Sequence, residues 1–355
     1  MKKKILALTL SLTMLAAVMT GCGQSAAGGT TAANEEQKTE TEAADMAAEV
    51  EVVIQFGHDN NEGDPVQEAA KYWAERLSEV SGGTMKLEVF PSGQLGSKSD
   101  LIDQILAGDS VVCIGNGPFL ADRGAPDLGI MQAPYLFETW EELDTLVASD
   151  WWAEQMTQLE GAGLKVIAGN WRYGVRHTIT TKPVTSPEDI KGMKIRTQGS
   201  TVHVKGFEVL GAAPTPMPLT EVYTSLSQGT IDGLENPLSV IYSGKFQEVA
   251  KNLMLDGHIR DLSQIVISND FFNSLTEEQQ GWLLQTAQEA GERQNELAAI
   301  ADEESLQKLK DEGVTVTEVD FGAFRTAAEP FYEDTTLTGA WSDGLVDRVK
   351  EIIGQ

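Results

Sequence analysis

Apolar and polar positions along the chain alternate between two periods, and the alternation predicts a series of strands and helices. Glu51–Gly57 (EVVIQFG) is β-rich and reads as a strand. Val66, Ala69, Ala70, Trp73, Leu77 and Val80 then recur at helical spacing. Asp64-Pro65 supplies an N-cap with proline at the first helical position, and Gly82-Gly83 supplies the stop. Met85, Leu87 and Val89 alternate with polar neighbours as a strand does. A helix over about Lys98–Ala107, a strand over Ser110–Gly115, a helical region over about Thr139–Glu160 and a strand over Leu164–Gly169 continue the series. Ser186–Asp189 reads as a short helix before a strand at Met193–Thr197, with helices at about Ser200–Leu210 and Thr220–Gly229 beyond it. Thr276 and Gln279 form a capping box, and no proline follows before Gly313, so a single helix of roughly 55 Å is expected. Strands separated by helices predict an α/β fold of βαβ units on a largely parallel sheet.

The first residues follow another pattern. Met1-Lys2-Lys3-Lys4 is basic, and Ile5 to Met19 is apolar apart from Thr and Ser, too short for a comfortable transmembrane helix. The run closes on Ala17-Val18-Met19-Thr20-Gly21-Cys22, so residues 1–21 resemble a bacterial lipoprotein signal that leaves Cys22 as the lipid-attachment residue. Met19 stands where such signals usually have Leu, and an ordinary secretory leader with an incidental cysteine is the alternative. Residues 22–49 are rich in Ala, Gly, Thr and Glu and contain no aromatic residue. They bury too little to offset their ordering entropy and are expected to form a disordered tether.

Composition narrows the function by exclusion. A length of 355 residues suggests two domains. With 26 Lys+Arg against 54 Asp+Glu the formal charge is -28, and without residues 1–21 it becomes 23 - 54 = -31. Such a surface disfavours nucleic acid and anionic lipid, so membrane contact is expected through the N-terminal lipid only. Two cysteines rule out a disulfide framework, and Cys113, inside Val111–Ile114, reads as a small buried hydrophobe. No P-loop, GxSxG elbow, HExxH or CxxC pair is present, and the four histidines lie at no metal-binding spacing. No catalytic residue, metal or cofactor is indicated, which makes an enzyme the weaker class. Positive charge is the scarce resource. Arg172, Arg176 and Arg196 fall in strand-like sequence, and an arginine ending a strand of an α/β domain points at the crevice where ligands sit. Its planar fork suits a carboxylate; pairing with one of many nearby acids is the competing use.

Several motifs stand in one order and spacing: Gly192-Met193-Lys194-Ile195-Arg196, Leu210 through Pro218 (LGAAPTPMP), Glu221-Val222-Tyr223 and Ile231 through Pro237 (IDGLENP). With Phe90 through Gly96 (FPSGQLG) and Phe246-Gln247-Glu248-Val249, they closely resemble the DctP-type solute-binding proteins of tripartite ATP-independent periplasmic (TRAP) transporters, over essentially all of residues 51–330.

The resemblance implies a two-lobed periplasmic-binding-protein fold, with a long helix spanning both lobes. Residues 50–173 with 262–301 would form lobe I, and 174–261 with 302–355 lobe II. It implies closure around one small organic acid and delivery to sodium-coupled membrane permease subunits. Arg196 matches the family's carboxylate clamp, Arg176 a second cleft arginine and Asn236 a polar residue on the same carboxylate. Leu219 stands where several relatives place an aromatic residue over the ligand. Asn116 and Phe119 fall where sialic-acid binders carry an acid and an arginine, which argues against sialic acid and leaves Asn116 as an expected ligand contact. His58 and Asp59 follow the first strand, where relatives contact the far end of the ligand; they suit the hydroxyl donors of a sugar acid, or else simply cap the loop. Trp171 and Tyr173 are candidates for the cleft wall. C4-dicarboxylates, a sensory role, an ABC-type binding protein and a secreted enzyme acting on acids are the competing readings.

Overall fold

The computed structural model describes residues 51–335 and 339–355; the leader, Cys22 and the tether expected over 22–49 lie outside the described residues. In chain order the elements are β1 (Val52–Gly57), α1 (Pro65–Val80), β2 (Met85–Phe90), α2 (Lys98–Leu106), β3 (Val111–Asn116), α3 (Gly117–Ala121), α4 (Trp140–Val147), α5 (Asp150–Gly161) and β4 (Leu164–Thr180). Then come β5 (Lys194–Thr197), α6 (Thr201–Val209), β6 (Ala213–Pro216), α7 (Val222–Ser227), β7 (Gly233–Pro237), α8 (Leu238–Ser243) and β8 (Asn252–Ser268). The chain ends with α9 (Asn269–Ser274), α10 (Glu277–Asp311), β9 (Thr315–Thr317), α11 (Phe321–Ala328) and α12 (Leu345–Ile353).

The helix ends obey the local chemistry. Asp64 accepts from the Val66 amide at 3.0 Å ahead of Pro65, and Thr276 with Gln279 closes a capping box on α10. Glu277 and Glu278 in the first turn of α10, and Lys308 and Lys310 in its last, complement the dipole of this 35-residue helix. Two expectations change. The helical region 139–160 divides because Ser149 caps a new helix, accepting from the Trp152 amide. Ser186–Asp189 forms a turn instead of a helix: one Asp189 carboxylate oxygen takes the backbone and hydroxyl donors of Thr185 and Ser186.

The nine-stranded sheet has the order β2-β1-β3-β8-β4-β7-β5-β6, with β9 beside β8. Pairing is parallel at both ends and antiparallel through the middle, where β3 meets β8, β8 meets β4 and β4 meets β7. The sheet is therefore mixed. Strands β4 and β8, each 17 residues long, connect its two ends and carry both lobes.

Each lobe has apolar packing of its own. In the first, Ile54, Phe56, Trp73 and Leu77 pack with Leu283 and Ala287 of α10, while Leu101, Leu128, Leu143 and Trp151 belong to a second cluster. In the second lobe, Ile179, Leu234 and Leu253 pack with Leu309 of α10, and Ile195, Phe207 and Phe324 form a further cluster. Helix α10 thus contributes to the cores of both lobes. Trp341, Leu345 and Val349 join Leu143 and Trp151, and Arg348 pairs with Glu154 at 2.8 Å. The segment Trp341–Val349 thus packs on the first lobe, while Leu309, β9 and Phe324 pack in the second.

Trp171, expected on the cleft wall, lies in the first-lobe core. It meets Phe56 and Trp73 edge-on at centroid distances of 6.1 and 6.2 Å, and its indole N–H donates to the Ala287 carbonyl at 3.1 Å. Filling the space between sheet and α10 uses its whole side chain. Trp171→Ala should therefore cost about 3–5 kcal/mol of stability in denaturant unfolding, with ligand affinity of the folded variant preserved. Lost affinity at unchanged stability would contradict the core role.

Candidate ligand-binding site

Parallel strands present their carboxyl ends together, and in α/β sheets ligands bind beyond those ends. Strands β5 and β7 are parallel and carry Arg196 and Asn236; β1 and β3 are parallel and lead into His58-Asp59 and Asn116. Between these ends lies a cavity of about 300 Å³, to which His58, Asp59, Lys98, Arg196, Leu219 and Asn236 all contribute. The lobes are bridged around it. Asn61 donates to the Ser243 carbonyl at 3.2 Å, Ser243 Oγ to Asp64 at 3.1 Å and Asn116 Nδ2 to Gln198 Oε1 at 2.9 Å.

Arg196 is 4 % exposed, and its Nε and Nη2 both donate to the Met217 carbonyl, at 2.9 and 2.8 Å. Of its five N–H groups three remain, and it makes no ion pair with a described residue. Burial lowers its pKa to about 10, so the guanidinium is charged at neutral pH. Asn236 is buried beside it at the cavity, and its side-chain amide makes no hydrogen bond to a described residue.

Arg176 also reaches the cavity, but its donors are committed. Nε and Nη2 grip the Glu235 carboxylate, Nη2 also donates to the Glu235 carbonyl at 3.1 Å, and Nη1 donates to Asp261 at 2.8 Å. One Nη1 hydrogen is left. Burial opposes ionisation of Glu235, yet the adjacent Arg176 outweighs it and holds the carboxyl far below the usual carboxylate range. Burial likewise opposes charge on His258, but Asp256 at 2.9 Å and Glu235 at 3.4 Å raise it to about 9 and keep it cationic. The ion-pair use of an arginine thus claims most of Arg176 and none of Arg196.

The first-lobe wall differs from expectation in three places. Asn116 caps α3 by accepting from the Phe119 amide at 3.0 Å and gives its amide to Gln198; it is absent from the cavity lining, where it was expected as a ligand contact. Tyr173 lines the cavity and Trp171 does not, because register shifts on either side of Trp171 and Tyr173 break the regular alternation of β4. Lys98, passed over in the sequence, enters the cavity from the first residue of α2. A lysine next to an N-cap in so acidic a chain was the available signal.

His58 and Asp59 line the cavity as expected. Burial lowers His58 to about 4, leaving a neutral imidazole. Its Nε2 lies 2.9 Å from Gln67 Oε1, and the Gln67 amide nitrogen is turned toward Glu62, which only accepts. Nε2 therefore carries the proton, and Nδ1 is buried without a hydrogen-bond partner. Asp59 Oδ1 is likewise buried and unpartnered, and burial pushes its carboxyl up.

Residues 56–337 match the family model described as bacterial extracellular solute-binding protein, family 7. The 2,3-diketo-L-gulonate-binding periplasmic protein YiaO of Escherichia coli is 36% identical over 280 residues, covering 77% of this chain and 84% of that protein. A TRAP periplasmic solute-binding protein of Ochrobacterium anthropi with bound L-fuconate superposes with a TM-score of 0.83 at 39% identity, covering 86% of this chain and all of that one. Its counterpart from Actinobacillus succinogenes, with bound L-galactonate, gives 0.83 at 38% identity over 85% and 99% of the two chains. The strand-end cleft, the helix shared by both lobes and these matches agree, and the chain belongs to the family 7 extracellular solute-binding proteins, the DctP-type receptors of TRAP transporters.

Proposed function

We propose that this receptor captures a monocarboxylic sugar acid, an aldonate or uronate, outside the cytoplasm while held to the membrane by lipid on Cys22, and releases it to sodium-coupled permease subunits. The observation that carries the ligand class is Arg196, a buried guanidinium at the cleft with three N–H groups unfilled and no ion pair to a described residue. A carboxylate accepts two parallel charge-assisted hydrogen bonds from such a fork. Asn236, adjacent and unbonded, supplies a further polar contact. On the facing wall His58 and Asp59 line the cavity, and Asp59 Oδ1 is an acceptor without a donor, which suits the hydroxyl groups of a ligand. The polyhydroxy acids named for, or bound by, the relatives above have this combination of one carboxylate and several hydroxyls. Contacts from both walls to one molecule favour the closed arrangement, so binding energy goes into a shape the permease recognises.

Isothermal calorimetry against aldonates, uronates and C4-dicarboxylates tests this directly, with tight binding of one or more sugar acids expected. Arg196→Ala should weaken that ligand by about 2–5 kcal/mol, roughly 30- to several-thousand-fold, and wild-type affinity in the variant would remove the clamp. Arg176→Gln should fail differently. It strands Glu235 and Asp261 in the interior and should lower stability by about 3–5 kcal/mol in denaturant unfolding; a variant as stable as wild type would show the buried pairing to be dispensable. Cys22→Ser should move the protein from the membrane fraction to the soluble fraction of cells, and unchanged fractionation would exclude the lipid anchor.

A further inference from the structure

Besides Arg196, one other cavity-lining cation has no ion-pair partner among the described residues. Lys98 is the first residue of α2, behind Ser97 and its capping box with Asp100. Helix stability disfavours a cation in the first turn, where the dipole is positive, so the local rule is broken at this position. The ammonium lies 5.4 Å from the centroid of the Phe119 ring, whose edge also belongs to the cavity. Asp59 enters the same cavity from the loop after β1, with a buried carboxylate oxygen that meets no donor. Lys98 and Asp59 thus share one space without closing an ion pair, although each feels the other's charge.

The charges at the cavity decide what fits between them. Arg176 is paired with both Glu235 and Asp261, which leaves Lys98, Arg196 and Asp59 as the cavity-lining charges without an ion pair among the described residues. A ligand carboxylate on Arg196 leaves Lys98 balanced by Asp59, and each feels the other's charge. A second carboxylate would have to enter beside Asp59 and be repelled by it. A hydroxyl group meets no such cost: its oxygen accepts from the ammonium while its hydrogen goes to the carboxylate.

From this arrangement we infer that Lys98 and Asp59 form a hydroxyl-reading pair that selects polyhydroxy monoacids over diacids of the same carbon skeleton. The inference rests on the sugar-acid reading and names Lys98 as the residue that sets the preference.

Calorimetry on the purified full chain, with hexonates (galactonate, gluconate, gulonate) and the matching hexarates, tests it. The wild type should bind its preferred hexonate at least about tenfold more tightly than the hexarate. Lys98→Met and Asp59→Asn should each weaken the hexonate by about tenfold or more, the loss expected for a hydrogen bond to a charged group. The double variant should lose less than the product of the two, since one hydroxyl serves both. Thermal melts of each variant separate a binding defect from a folding defect. A wild type that binds the hexonate while Lys98→Met binds it equally well would overturn this inference and leave the sugar-acid reading standing. So would tighter binding of the hexarate that depends on Lys98, which would make the lysine a second anion clamp. A wild type that ignores every hexonate and uronate would overturn both together.

Discussion

Arg176 leaves β4 between the lobes and gathers three strands at one point, since Glu235 belongs to β7 and Asp261 to β8. Burying three charges costs several kcal/mol of solvation for each, and only close mutual pairing makes the arrangement tolerable. Here the bidentate grip on Glu235 and the bond to Asp261 provide it, with the cationic His258 on the outer side of Glu235. The floor of the cleft is thereby both fixed and electrically closed. Because Glu235 is spent on Arg176 and His258, it is unavailable to Arg196. The one guanidinium of the cleft without an ion pair among the described residues is thus defined by what its neighbours have already consumed.

The same crossing is where the backbone is least regular. The β4–β8 ladder shifts register between Val166 and Ala168, Ala168 and Trp171, Arg172 and Gly174, and Arg176 and Thr178. Gly174 sits among these shifts at φ 140°, and a Cβ there would lie 2.7 Å from the Pro237 Cβ. Only glycine meets both demands. Interrupted pairing between two otherwise continuous strands concentrates compliance at the crossing, while the lobes on either side remain packed around their own cores.

Local structure was the legible part of the sequence. Caps such as Asp64-Pro65 and Thr276–Gln279 act within one turn, and the elements they start lie where the periodicity puts them. Long-range pairing was not legible. Nothing near Arg176 reveals that its partners are 59 and 85 residues away, and strand β8 carries Asp256, Gly257, His258, Arg260 and Asp261 in its middle, which conceals its length. Trp171 and Tyr173 share a parity and look equivalent until the register shifts separate them. The motifs around Arg196 and Asn236 located the second-lobe wall through family resemblance. Lys98, belonging to no such motif, required the fold to bring α2 against the cleft.

On the proposed reading of Arg196 as the carboxylate clamp, the same residue couples binding to closure. In the closed arrangement its guanidinium is nearly sealed from solvent and burial already lowers its pKa, so the charge is held at a cost. Parting the lobes returns water to the three free N–H groups and relieves that cost. A carboxylate delivered to the fork relieves it too, but only while the lobes stay together. Open and closed forms are then stabilised by different partners of the same group, water in one and ligand in the other. A ligand shifts a conformational equilibrium only through such differential affinity. Neutral sugars would close the lobes poorly even with every hydroxyl satisfied, because they leave Arg196 dry and unpaired.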